Sequence, residues 1–292
     1  MYPHAPTWLI TAVRDAKKGQ GADKIERTRS LLERLKLPTV CETAECPNRG
    51  ECFSNHTATF LILGDICTRG CTFCAVRRGR PLESPDEGEP ERLAQAVKEL
   101  ELRHAVVTSV TRDDLPDGGA HHYASVVEAL RRHCLGVKVE LLVPDFCGSG
   151  EALATVLASD PDILAHNIET VHRLYSRVRK GADYQRSLTV LKKAKEISDG
   201  VITKSGLMLG LGEEHGEVEE VLMDLQEVGC DMLTLGQYLS PSLAHAPVVR
   251  YVTPEEFTGW RQEALDMGFK SVAAGPLVRS SYKAPVFFEE LR

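Results

Sequence analysis

Residues 58–76 read ATFLILGDICTRGCTFCAV, an apolar β-rich run that stops at Gly64 and is followed by Cys67, Cys71 and Cys74. The run predicts a short buried strand of a parallel sheet. The cysteines then fall on the loop at its C-terminal end, which is where barrel enzymes carry out chemistry. Three soft thiolates spaced by four and three residues can hold three corners of a cubane iron–sulfur cluster and leave the fourth iron open to another ligand. Structural zinc is the alternative, because Cys71 and Cys74 have the C-x2-C spacing of a zinc ribbon. A closed zinc site would need a matching second pair.

Downstream of this stretch, apolar runs alternate with amphipathic helical patterns, as expected of βα units around a parallel sheet. Six strands are predicted: Thr59–Gly64, His104–Ser109, Val137–Val143, Asp162–His166, Val201–Leu209 and Asp231–Gly236. Leu93, Ala96, Val97 and Leu100 mark a helix between the first two, and Val218, Val221, Leu222, Leu225 and Val228 one between the last two. The expected fold is α/β, an incomplete (β/α)6 TIM-like barrel with N- and C-terminal extensions, since a full barrel needs eight units. The expected organisation is one structural domain: 1–58 an N-terminal extension bearing further cysteines, 59–269 the partial barrel, and 270–292 a C-terminal extension. Pro81–Pro90 reads as an exposed loop.

Composition excludes several classes. Apolar residues make up 42% and charged residues 26% of the 292, an ordinary globular balance. The apolar runs are far shorter than the ~20 residues that cross a bilayer. The N-terminus lacks a secretory pattern, so a cytoplasmic location is expected. With 35 basic and 42 acidic residues, the net charge of −7 gives no general reason to bind nucleic acid. Six of nine cysteines lie between Cys41 and Cys74, a clustering that points to metal rather than disulfides.

Cys41, Cys46 and Cys52, in CETAECPNRGEC, form a second set of three. By spacing alone, a cluster, zinc and buried free thiols all remain open for it. CTRGCTFC, with Phe73 before its last cysteine, matches the motif of the radical S-adenosylmethionine superfamily. Together with CETAECPNRGEC and RSSY at Arg279–Tyr282, it resembles the lipoyl synthase family. TRDDLPDGGA from Thr111, HNIETV from His166 and KSGLMLGLGE from Lys204 are similar to the same family, so the resemblance runs from about residue 38 to 285.

The resemblance implies two [4Fe-4S] clusters and S-adenosyl-L-methionine. Cys67, Cys71 and Cys74 would hold the cluster that binds S-adenosylmethionine, and Cys41, Cys46 and Cys52 an auxiliary cluster that donates sulfur. Ser281 would be its fourth ligand, with Ser280 the neighbouring alternative. The reaction implied is insertion of two sulfurs at C6 and C8 of a protein-bound octanoyl-lysine. Octanoylated lipoyl carrier domains or a glycine cleavage H protein would be partners, with a ferredoxin or flavodoxin type electron donor. From the residues themselves, charge gives no nucleic acid, run length no membrane, and the lack of a long exposed apolar face a monomeric chain. Alternatives are another sulfur-inserting radical enzyme acting on a free small molecule such as dethiobiotin, a non-catalytic iron–sulfur electron carrier, and a zinc-stabilised binding module.

Asn167, Glu169 and Lys204 stand at strand ends or within a strand, where they can reach the cofactor or be satisfied inside the barrel. Gly210 and Gly212 allow either close approach to the cofactor or a tight turn. Arg112, Asp113 and Asp114 form a polar cluster that orients substrate or organises a loop. His121 and His122 read as surface or capping residues, and Cys134, Cys147 and Cys230 as small buried apolar residues. Arg77, Arg78 and Arg80 are a basic run that attracts an acidic carrier or is simply solvated.

Overall fold

A computed structural model describes residues 5–291. The chain divides into two compact units, the first of Ala12–Arg69 and Ala75–Ile163, the second of residues 5–11, Gly70–Cys74 and 164–291.

The first unit opens with helices α1 (Thr7–Lys18, begun in the second unit) and α2 (Ala22–Arg34), then the short α3 (Val40–Thr43) and α4 (Arg49–Ser54), which carry Cys41 and Cys52. Gly50, inside the cysteine-rich stretch, permits the end of α1 to lie against α4: a Cβ there would sit 2.0 Å from the Lys17 carbonyl oxygen. β1 (Thr59–Ile62), wholly buried, is followed by a parallel two-residue pair, β2 (Ile66–Cys67) with β3 (Arg77–Arg78). α5 (Glu89–Glu99) starts on a proline and two glutamates, as a helix N-terminus favours, and buries Leu93, Ala96 and Val97. β4 (His104–Ser109) pairs parallel with β1, and β5 (Lys138–Leu142) with β4. Between and after them come α6 (Ala120–His133) and α7 (Gly150–Ala158); α7 is capped by the Ser149 hydroxyl, which accepts from the Ala152 amide.

β6 (Ile163–Ala165) straddles the boundary between the units in sequence. The second unit continues with α8 (Tyr175–Val178), α9 (Tyr184–Ile197), β7 (Ile202–Leu209), α10 (His215–Glu227), β8 (Met232–Gln237) and α11 (Pro254–Asp266). β9 (Ser271–Gly275) and α12 (Ala284–Glu289) complete it. β7 pairs parallel with β8 and β8 with β9. Leu207, Leu235, Leu222, Leu191, Phe257 and Val272 bring sheet and helices into one core. Capping boxes at Glu214/Glu217 and Thr253/Glu256 fix the starts of α10 and α11.

The α/β class is as expected, and all six predicted strands are present. To these the chain adds β9, in the stretch read as a tail. SVAAG has one β-branched residue and little β propensity of its own, so pairing with β8 makes it a strand. No helix among the described residues is long and apolar enough to cross a membrane.

Candidate iron–sulfur and cofactor sites

Of the three cysteines, Cys67 ends the two-residue strand β2, while Cys71 and Cys74 lie in turns and irregular chain between β2 and β3. After β1, Leu63 (φ 68°) and Gly64 (φ 92°) turn the chain out of the sheet, and the Leu63 amide donates to the Glu89 carboxylate at 3.0 Å. The β2–β3 pair then closes a loop, with the Gly79 amide donating to the Cys67 carbonyl at 3.0 Å. All three thiols are half-buried and unlinked.

Within the first unit, the Thr68 amide and hydroxyl each donate to the Thr111 carbonyl at 3.0 Å. The buried Arg69 guanidinium donates two bonds to Asp113, at 2.8 and 2.9 Å, and one to Asp145 at 2.5 Å. Those charges hold Arg69 firmly protonated against its burial. Within the second unit, the Thr72 amide donates to the Val178 carbonyl at 2.8 Å, and the Thr72 carbonyl accepts from Ala246 at 2.9 Å. His245 Nε2 lies 3.1 Å from the Cys74 carbonyl, which it can only approach as a donor, and Ser242 Oγ lies 2.8 Å from its Nδ1. Phe73 packs against the core of that unit.

The second cysteine set lies in the first unit. The Cys46 amide donates to the Cys41 carbonyl at 3.2 Å, Glu45 takes a left-handed φ of 49°, and the Thr57 hydroxyl donates to the Cys52 carbonyl at 2.9 Å. Burial pushes the Cys41 thiol up to about 12, and the neighbouring Cys46 adds to it. Cys52 is likewise pushed up to about 12, first by burial, then by Cys41 and Cys46. The three sulfurs are thus near enough to feel one another's charge. They are not all within 4.8 Å of one another: among the described residues, only His215, Glu219 and Glu263 gather three ligand atoms that closely. A single tetrahedral zinc with Zn–S bonds of ~2.3 Å would draw three sulfurs to about 3.8 Å.

The residues expected to meet S-adenosylmethionine lie in the second unit. The Asn167 amide group donates to Glu169 at 3.1 Å and to the Ser280 hydroxyl at 2.7 Å, while its buried Oδ1 has no donor. A buried acceptor without a donor is rare and fits a ligand hydroxyl or amine. Glu169 holds a left-handed φ of 67°; its amide donates to the Gly206 carbonyl and its carbonyl accepts from Met208, both at 2.9 Å. Burial raises its carboxyl, with the Arg179 charge acting against the rise. Lys204 is fully buried on β7, on the same strand face as Gly206, where a Cβ would meet Thr234, Asn167 and Ser280. Ser281 lies half-buried in the turn after Arg279.

Gly210 and Gly212 have φ of 104° and 105°, but the Gly210 and Leu211 amides already donate to the Glu213 carboxylate, at 2.6 and 2.9 Å. A Cβ on Gly210 would meet Gln237 and the Arg250 carbonyl. These glycines therefore build a tight turn anchored on Glu213.

Other expectations divide. Arg112 is a loop organiser, donating to Asp114 and to the Leu63 and Glu83 carbonyls. His121 is exposed and pairs with Asp117, whereas His122 is half-buried and lies 2.7 Å from the Glu89 carboxylate. Cys134 and Cys230 are buried, whereas Cys147 is exposed because Phe146 takes the inward position and the left-handed Phe146–Cys147 turn directs the thiol outward. Arg77 and Arg78 are exposed, and Arg77 pairs with Asp65. Arg69, Asp145, Glu213 and His245 were not singled out from sequence. The one signal for them was that Arg69 and Glu213 lie inside the family-like motifs.

Residues 61–225 match the radical SAM superfamily. A lipoyl synthase of Trichlorobacter lovleyi is 59% identical over 279 residues, which is 96% of each chain. One of Caldanaerobacter subterraneus subsp. tengcongensis is 56% identical over 281 residues, again 96% of each. Among solved structures, HydG, a maturase of the [FeFe]-hydrogenase, aligns over 98% of this chain and 70% of its own with a TM-score of 0.60 at 14% identity, a likeness of fold. With its two cysteine sets and these relatives along its whole length, the chain belongs to the lipoyl synthase family within the radical SAM superfamily.

Proposed function

We propose that the chain inserts two sulfur atoms at C6 and C8 of an octanoyl group carried on a lysine of a lipoyl carrier domain or glycine cleavage H protein. The observation that carries this reading is the presence of two separate sets of three unlinked cysteines, one in the stretch after β1 and one on α3, the connection after it and α4. Cys67, Cys71 and Cys74 would hold the cluster that receives S-adenosylmethionine. Cys41, Cys46 and Cys52, with Ser281 as the oxygen ligand, would hold the auxiliary cluster whose sulfur is used. Ser281 is preferred to Ser280 on the resemblance of RSSY to the family motif. Bound at the first set, the cofactor pair supplies a radical strong enough to remove hydrogen from an unactivated C–H bond.

The chain's own contribution is binding and orientation. Asn167 Oδ1 offers an acceptor, Glu169 a carboxyl with a raised proton affinity, and Lys204 a buried amine on the same face. Residues 1–58 would serve sulfur donation, 59–269 radical generation and 270–292 the serine ligand. A ferredoxin or flavodoxin type donor would supply electrons to a monomeric, cytoplasmic enzyme. The test uses anaerobically reconstituted protein with S-adenosylmethionine, a low-potential reductant and an octanoyl-lysine peptide. Two sulfurs gained by the peptide, together with 5′-deoxyadenosine, are expected. Deoxyadenosine without sulfur insertion would overturn the substrate assignment.

A further inference from the structure

Arg69 stands between two of the motif cysteines, yet its side chain turns away into the first unit and is only 7% exposed. Its partners come from the loops after two strands: Asp113 after β4 grips it by two bonds, and Asp145 after β5, itself fully buried, by a third. Asp145 is fixed in turn by the Cys147 amide at 3.1 Å, and Thr68 by Thr111 and by the Asp113 amide at 3.2 Å. A buried ion trio of this kind contributes little net stability, because desolvation offsets attraction, but it imposes one geometry. That geometry aims the Arg69 backbone N–H at Cys67 Sγ, 3.5 Å away. Hydrogen bonds to cluster sulfurs stabilise the reduced, more negative state and so raise the reduction potential.

We propose that the Arg69–Asp113–Asp145 clamp is a positioning device that sets the reduction potential of the cluster held by Cys67, through the Arg69 N–H···S bond. The proposal rests on Cys67 being a cluster ligand. Loss of the clamp and simple loss of charge have separable signs. Arg69→Lys keeps the positive charge but loses the planar fork. Asp113→Asn removes a negative charge, which alone would raise the potential, but also frees one side of the fork.

The experiment is a redox titration of the full-length, reconstituted protein, following by electron paramagnetic resonance the signal that changes on adding S-adenosylmethionine. Circular dichroism confirms that each variant is folded. The midpoint is expected to shift to more negative values in both variants. An unchanged midpoint in Arg69→Lys, or a rise in Asp113→Asn, would overturn the proposal. Cys67→Ala tests the assignment beneath it: this variant should lose the cofactor-sensitive signal, and persistence of the signal would overturn the cluster assignment instead.

Discussion

Gly206 on β7 packs closely against the polar site, and Gly206→Ala gives a quantitative test of how that site is built. An alanine Cβ would lie 2.5 Å from Thr234 Oγ1, 3.1 Å from Asn167 Oδ1 and 3.3 Å from Ser280 Oγ. Ordinary contact is near ~3.5 Å, so Thr234 must withdraw by about 1 Å. Thr234 is β-branched, stiff at χ1, and its hydroxyl donates to the Ser205 carbonyl at 3.4 Å. Overpacking of this size costs about 1–3 kcal/mol. Replacing a strand glycine by alanine returns about 0.5–1 kcal/mol. The net expectation is a loss of about 1–2 kcal/mol, read as a lower urea midpoint at unchanged slope. The added methyl also crowds Asn167 Oδ1, so S-adenosylmethionine binding by equilibrium dialysis should weaken in the same variant. Unchanged stability would refute the packing argument. Lost stability with undiminished cofactor binding would refute the placement of Asn167 at the cofactor.

Three further outcomes are expected. Asn167→Ala removes the contacts to Glu169 and Ser280 together with the open acceptor, so the Kd for S-adenosylmethionine should rise roughly three- to tenfold, at ~0.5–1.5 kcal/mol per hydrogen bond; isothermal titration checks it. Gly50→Ala would place a Cβ 2.0 Å from the Lys17 carbonyl oxygen and 2.8 Å from that of Ala16, so α1 and α4 must separate; stability should fall by about 3 kcal/mol, and iron analysis should show roughly half the iron lost. Cys41 and Cys52 ionise near 9 when unfolded and at about 12 when folded without metal. A raised thiol pKa favours the folded state fully below the unfolded value, and the benefit is lost as pH climbs from about 9 toward 12. Metal-free protein should therefore destabilise over that range more than Cys41→Ala/Cys52→Ala does, whereas iron uptake, which expels those protons, should improve between pH 7 and 9.

The parts of the fold that were legible in the sequence are those where a local pattern and the tertiary context agree. HAVVTS and ITKSGLML are buried from end to end or nearly so, and each appears as a strand at its predicted place. Leu93, Ala96 and Val97 repeat at helical spacing and are the buried side of α5. β9 was missed because Ser271–Gly275 becomes a strand only through pairing with β8, which lies some 40 residues earlier in the chain. Cys147 was misplaced for a related reason: a cysteine is usually buried, but two consecutive left-handed residues give the inward position to Phe146.

The candidate site divides along the same line. Six cysteines within 34 residues stand out in the sequence as candidate ligands because iron–sulfur sites draw ligands from short stretches of chain. The groups that hold those stretches in place were not, because each acts through a partner distant in sequence. Arg69 reaches Asp113 across 44 residues and Asp145 across 76; His245 reaches the Cys74 carbonyl across 171; Asn167 reaches Ser280 across 113. Each of these contacts ends on a loop that follows a strand or a motif residue. The sequence lists the ligands of such a centre, but the direction of each thiol depends on whether those distant partners meet. Single charge-preserving substitutions at Arg69 should therefore change the electronic properties of the centre before they change its iron content.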